Sequence, residues 1–205
     1  AQAAIIESPL PWLGSTNTNS IYSYDPEKAR AVLDKALWTD DNGDRIRDKR
    51  YRENGKPVNR SLAFKLITSD WPDLVHAAEQ IQTMLREIGI EIAVEKKPFS
   101  ELESAVIRPR NFEILIFGQV YGYEPDPFAF WHSSQIKDPG LNIVGYSNKK
   151  ADVILEDARK NSDSASRTVQ LKQFSTILSN DIPAIFLFSI EYIFTACLAD
   201  KNISP

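Results

Sequence analysis

Tyr121, Tyr123, Phe128, Phe130, Trp131 and Tyr146 crowd into one stretch that also holds Glu124, Asp126, Ser134 and Asn142. Aromatic faces set among short polar and acidic groups suit a small-molecule cleft. A buried core would have to find a partner for each of those polar groups. The stretch follows directly on the apolar run Phe112–Val120, and in open α/β sheets ligands sit beyond the carboxyl ends of strands. Gly118 would let a ligand approach the backbone closely. Tyr121 and Tyr123 would offer stacking faces and hydroxyls. Glu124 and Asp126 would accept hydrogen bonds or pair with a cation. The candidate binding set is therefore Gly118, Gln119, Tyr121, Tyr123, Glu124 and Asp126, extended by Trp131, Ser134 and Asn142, with Phe128 and Phe130 assigned to packing.

Other chemistry is weighed against the same residues. Glu124 and Asp126 could serve a carbohydrate-binding or carbohydrate-hydrolysing domain as acid and base, but two carboxylates flanking a single proline are badly placed to straddle a glycosidic bond. His132 beside Ser133 and Ser134 lacks the G-x-S-x-G turn that presents a nucleophile. Asp40, Asn42 and Asp44 alternate as in a calcium loop. Arg45 then stands where such a loop needs Gly, and Tyr51 where it needs a bidentate Glu, so an Asn-Gly turn is the expectation. No catalytic residue, metal site or cofactor is assigned. His76 reads as structural or exposed. The single cysteine, Cys197, sits in an apolar context and reads as a buried small hydrophobe.

These residues need elements to position them. With 205 residues and 42% hydrophobic composition the chain can build one good core, so one domain is the first expectation. A net charge of −4 argues against a nucleic-acid partner. No apolar run approaches the roughly 20 residues of a membrane span. The chain opens at Ala1 with neither Met nor a leader-like segment, which reads as a mature protein or a piece of a longer one.

Ala1–Trp12 reads as extended, and Asp25-Pro26-Glu27 as the start of a helix. Residues 39–61 carry seven basic and five acidic side chains and read as a solvated loose hairpin. Strands are expected at Leu62–Thr68, Ile90–Val94, Phe112–Val120, Ala184–Phe188 and Tyr192–Leu198. Helices are expected after Trp71-Pro72, over Glu101–Ile107, after Pro127, and over Lys149–Lys160 and Ala165–Leu178. The helix after Pro72 should end at Gly89. Helices alternating with strands give an α/β fold, a mixed and at least partly parallel sheet flanked by helices.

In order along the chain stand YDPEKARAVLDKALW (Tyr24–Trp38), AAEQIQTMLREIGIEI (Ala77–Ile92), EPDPFAFWHSSQ (Glu124–Gln135), GLNIVGYSNKKAD (Gly140–Asp152) and DIPAIFLF (Asp181–Phe188). This ordered set resembles the family 5 solute-binding proteins of ABC importers, the peptide- and nickel-binding group. The resemblance implies one lobe of a type II periplasmic-binding-protein fold. Residues 1–205 would form a single lobe, with 1–11 and 196–205 near the hinge crossovers and the first lobe of the same protein supplied by other sequence. It also implies a periplasmic or extracellular location, free or lipid-anchored. It further implies a peptide or similar polar solute as ligand, a membrane permease as partner, and no catalytic activity. Peptide-binding members place an Asp three residues before the acidic–Pro pair, for the peptide's free amine; Tyr121 stands there here, and a phenol among aromatics also suits a sugar or another ring-bearing solute. Leu37 replaces the Gly usual before Trp38, which reads as local variation at a helix end.

Overall fold

A computed structural model describes residues 3–5, 10, 13, 23–121 and 126–190. The chain divides into two compact units, one of residues 22–125 and one of residues 1–21 with 126–205.

The unit 22–125 is built on a parallel sheet. Strand β4 (Ala63–Ser69) lies between β5 (Glu91–Lys97) and β6 (Ile114–Ile116), with register pairs Ser69↔Lys97 and Thr68↔Ile116. Helix α2 (Pro72–Glu87) makes the crossover from β4 to β5 and buries Ala78. Leu66, Ile67, Thr68 and Ser69 are buried in a row, as expected of a central parallel strand covered on both faces. The buried Thr68 hydroxyl donates to Ile116 O at 3.2 Å, so the polar side chain costs the core no orphan group. Helix α3 (Phe99–Glu101) runs on into a π-helical turn, Leu102–Ile107. Its Leu102 and Val106 pack on Ile67, with Ile107, Phe112, Leu115 and Phe117 around them. The expected strand over 112–120 is shorter, three residues: its ladder with β4 covers Leu66–Thr68, and just before it Lys65 N donates to the Glu113 carboxylate instead of to a strand carbonyl.

Ahead of the sheet, helix α1 (Pro26–Lys35) starts where Asp25 accepts a hydrogen bond from Lys28 N at 2.8 Å. It ends with Trp38 N donating to Leu33 O and Leu37 N to Asp34 O, the bond pair of a Schellman turn. That turn puts Leu37 at φ +62°, the left-handed region, with its side chain 70% exposed. Strands β2 (Asp48–Glu53) and β3 (Lys56–Ser61) form an antiparallel hairpin turning at Asn54-Gly55, both at positive φ. In the preceding loop Asp40 accepts from Gly43 N and Arg45 N, Asn42 from Asp44 N, and Asp44 from Ile46 N. The loop's acids thus serve its own backbone, as a turn reading requires.

The other unit is chiefly helical. Helix α4 (Phe128–Trp131) leads to a 3₁₀ turn at Ser133–Gln135, and α5 (Lys149–Lys160) pairs with α6 (Ser164–Asp181). Asn148 caps α5 and Asp163 caps α6 through backbone N–H groups. Strand β1 (Ala3–Ile5) pairs antiparallel with β7 (Phe188–Ile190). The expected strand at 184–188 therefore begins later, beyond Pro183, and the one expected at 192–198 lies outside the described residues. Trp131, Phe174, Leu155, Leu171 and Leu178 form the buried interior, and Trp131 meets Tyr146 and Phe186 edge-on. The Tyr146 hydroxyl donates to Asp181 Oδ2 at 2.6 Å. Burial, and then the bond to Asp181, hold its pKa well above the ordinary tyrosine value of 10.

Two outcomes follow from these contacts. Leu37→Gly relieves a left-handed residue worth about 1–2 kcal/mol of strain against a backbone-entropy cost of about 0.5–1 kcal/mol for glycine. Urea titration should show a gain of roughly 0.5–1 kcal/mol. Tyr146→Phe leaves Asp181 without its phenol donor and should cost about 1–2 kcal/mol at neutral pH. A raised folded-state pKa means this stability is complete below pH 10 and is lost as pH rises further. The gap between wild type and Tyr146→Phe should therefore narrow in denaturant titrations above that pH.

Candidate ligand-binding surface

In the unit 22–125 the three parallel strands end almost level, since Ser69 faces Lys97 and Thr68 faces Ile116. Gly118, Gln119 and Tyr121 follow the end of β6 at this edge. Gly118 is exposed, with no atom within 4 Å of where a Cβ would stand, so its backbone face is open. Tyr121 is half-buried and its hydroxyl donates to Gln119 Oε1 at 3.3 Å. Val120 between them is 85% exposed.

Two more aromatic residues stand at the same edge, neither of them among the binding residues expected from sequence. Trp71 comes two residues after β4 and is 55% exposed; Phe99 comes two residues after β5 and is 58% exposed. Phe99 stacks on Phe117, ring centroids 6.2 Å apart and 17° from parallel. The signal for them was present. The rule that ligands lie beyond the carboxyl ends of strands was applied to the strand before Tyr121, and it applies equally to the other two strands of the sheet. Asp70 N donates to Lys97 O at 3.1 Å and fastens the two ends together. Lys97 Nζ lies between Glu101 and Glu95, the latter at 3.0 Å. Those bonds, Glu101 first, raise the Lys97 pKa, and bonds from Lys97 and Lys65 lower that of Glu95. The edge thus combines an aromatic shelf, open backbone and a fixed charge cluster.

Tyr123 and Glu124 lie outside the described residues. The remaining candidates belong to the other unit. Asp126 Oδ1 accepts from Phe128 N at 3.1 Å, and Oδ2 lies 2.9 Å from Arg159 Nε. That guanidinium also covers the Phe128 ring at 4.2 Å, and Phe128 stacks on His132 at 4.1 Å. Both oxygens of Asp126 are engaged, one in a local turn to Phe128 N and one as an ion-pair partner, which is a structural arrangement rather than that of a glycosidase acid. Trp131 is 1% exposed and Asn142 fully buried, so both serve the interior of their unit. Asn142 donates to His132 O and Tyr146 O and accepts from Tyr146 N, so both its N–H groups and its carbonyl oxygen have partners. Ser134 is exposed, and its hydroxyl lies 2.8 Å from His132 Nδ1. The same nitrogen accepts from Ser134 N, so the pair caps the 3₁₀ turn. His132 Nε2 faces Glu156 at 3.4 Å and Asp152 at 3.8 Å. Asp152 itself accepts from Ser133 N and Oγ.

Comparison with known proteins places this geometry. Residues 1–139 match the family model described as bacterial extracellular solute-binding proteins, family 5 Middle. The chain is 32% identical over 188 residues to the oligopeptide-binding protein AppA of Bacillus subtilis, covering 91% of this chain and 33% of that protein. It is 36% identical over 115 residues to the nickel-binding periplasmic protein of Escherichia coli, covering 55% of this chain and 20% of that one. The structure of AppA in complex with a nonapeptide superposes with a TM-score of 0.75 at 30% identity, over 91% of this chain and 36% of that one. NikZ from Campylobacter jejuni in complex with Ni(L-His) superposes with a TM-score of 0.67 at 28% identity, over 92% and 36%. The fold is that of type II periplasmic binding proteins, and the chain spans about a third of the length of the curated relatives it matches. The chain belongs to the bacterial extracellular solute-binding proteins of family 5.

Proposed function

We propose that this chain is part of the two-lobed solute-binding component of an ABC importer, capturing peptides or a similar polar small solute. The single observation that carries the reading is the level carboxyl edge of the parallel sheet, where Trp71, Phe99 and Tyr121 stand around the open backbone at Gly118. The 32% identity to an oligopeptide-binding relative supports peptide as the solute class. Gly118, Gln119 and Tyr121, joined by Trp71 and Phe99, are the proposed contacts. Tyr123 and Glu124, next in sequence, extend the set. Asp126, Trp131, Ser134 and Asn142 are assigned to holding their own unit rigid.

The mechanism is capture by closure. A ligand that touches both lobes favours the closed form by its differential affinity for it. The ligand leaves unchanged, so no acid, base or nucleophile is required. The first lobe of the same protein and a membrane permease are the proposed partners, in the periplasm or outside the cell.

Calorimetry on the full two-lobed protein with a set of oligopeptides tests this. Tyr121→Ala and Phe99→Ala should each weaken binding about tenfold or more, the loss of a buried aromatic contact. Val169→Ala, on an exposed face of α6, should leave affinity unchanged. Equal affinities in all three variants would remove the proposed surface.

A further inference from the structure

The β2–β3 hairpin carries Lys49, Arg50, Arg52, Lys56 and Arg60 against Asp48 and Glu53, in a chain whose net charge is −4. Asp48 is buried and accepts from Ser61 Oγ, so Glu53 is the one acid the hairpin turns outward. It lies 3.8 Å from Arg60, with both side chains more than half exposed. Arg50 lies 3.9 Å from Asp41 and is 76% exposed. Surface pairs of this kind are weak, and five cations against two acids leave the hairpin three positive charges in excess.

The register sharpens the point. Lys49 stands directly opposite Arg60, and like charges in a cross-strand pair destabilise a hairpin. Each is instead set against an aromatic ring, Lys49 5.8 Å from the centroid of Trp38 and Arg60 5.7 Å from that of Tyr51. By the same register Lys49, Lys56 and Arg60 share one face of the hairpin and Arg50 and Arg52 the other, so positive charge stands on both faces. The hairpin is a separate two-stranded sheet, and nearly all of it beyond Asp48 is exposed or half-exposed.

We propose that this hairpin binds the polyanionic headgroup layer of a membrane containing anionic phospholipid. The charges are spread over two faces, and Tyr51 and Val58, paired on one of them, are only half-buried, so the hairpin lacks the desolvated central anchor that a specific protein interface needs. A diffuse array of cations matches a smeared layer of phosphates instead. The overall negative charge does not oppose this. At about 0.1 M salt the screening length is roughly 10 Å, shorter than the distance across a domain of this size. For a protein of an extracellular family, the headgroup layer is the polyanionic surface at hand.

The test is co-sedimentation of the chain with phosphatidylcholine vesicles, with and without phosphatidylglycerol, at low and high salt. Binding is expected with phosphatidylglycerol at low salt and is lost at high salt. Arg50→Gln, Arg52→Gln and Lys56→Gln together, all at exposed positions, should lower partitioning about a hundredfold, near fivefold for each cation removed. Lys149→Gln, Lys150→Gln and Lys172→Gln together remove the same charge from α5 and α6 and should change it less than about twofold, since screening limits each charge to its own neighbourhood. Equal losses in the two variants would overturn the proposal, as would capture by soluble poly-glutamate without vesicle binding. The wild-type comparison of the two vesicle types decides the matter even if a variant fails to fold; no preference for phosphatidylglycerol sinks it.

Discussion

The level termination of three parallel strands is the constraint on which the unit 22–125 depends. Parallel pairing fixes all strand directions alike, and the register of β4 with β5 and β6 brings residues far apart in sequence to one edge. Trp71, Phe99 and Gly118 are neighbours of that edge for this reason alone. A slip of one residue in β5 would turn Ile92 out of the core and carry Phe99 off its stack with Phe117. The apolar grip of the π-helical turn after α3 on Ile67, through Leu102 and Val106, supports the register beside the short strand β6.

Arg47 does comparable work at the opposite end of the unit. Its guanidinium donates to Ile88 O past the end of α2, to Trp38 O past the end of α1, and to Asp34. Its own N–H donates to Gly89 O, and its side chain is 14% exposed. Cation donors at helix carboxyl ends satisfy the orphan carbonyls and oppose the helix dipole. The same side chain fills the space beside Gly89, where a Cβ would stand 2.7 Å from Arg47 Cγ. Gly89 is thus required twice, by its φ of +86° and by this contact. Two helix ends and the root of the hairpin converge on one residue.

Much of this was legible in the sequence, and the exceptions have physical causes. The helix starts at Asp25-Pro26, Trp71-Pro72 and Lys149, the stop at Gly89 and the turn at Asn42-Gly43 all follow from local capping and turn chemistry, which needs no tertiary partner. The ladder of β6 begins only past Glu113, whose carboxylate takes Lys65 N, and no local pattern carries that long-range bond. Leu37 looked like incidental variation; its cost appears only when the helix end adopts a left-handed turn. Trp131 and Asn142 have the composition of cleft residues, yet both are spent on the interior of their unit. Asn142 clasps a loop between flanking hydrophobes Leu141 and Ile143, and its burial is a property of that closed loop. Trp71 and Phe99 gave no local sign of a binding role because each stands singly in polar sequence, and only the sheet collects them.

The two Asn-Gly pairs have unequal chemical futures. Glycine offers no side chain to hinder attack of its nitrogen on the preceding carboxamide, so Asn-Gly is the dipeptide most prone to succinimide closure and deamidation. Asn42 is restrained, with its amide held between Asp44 N and Asp44 Oδ2. Asn54 is exposed at the hairpin tip, at φ +51°. Ageing therefore reaches Asn54 first, and each event plants a carboxylate, as aspartate or as a backbone-inserting isoaspartate, at the tip of the cationic hairpin.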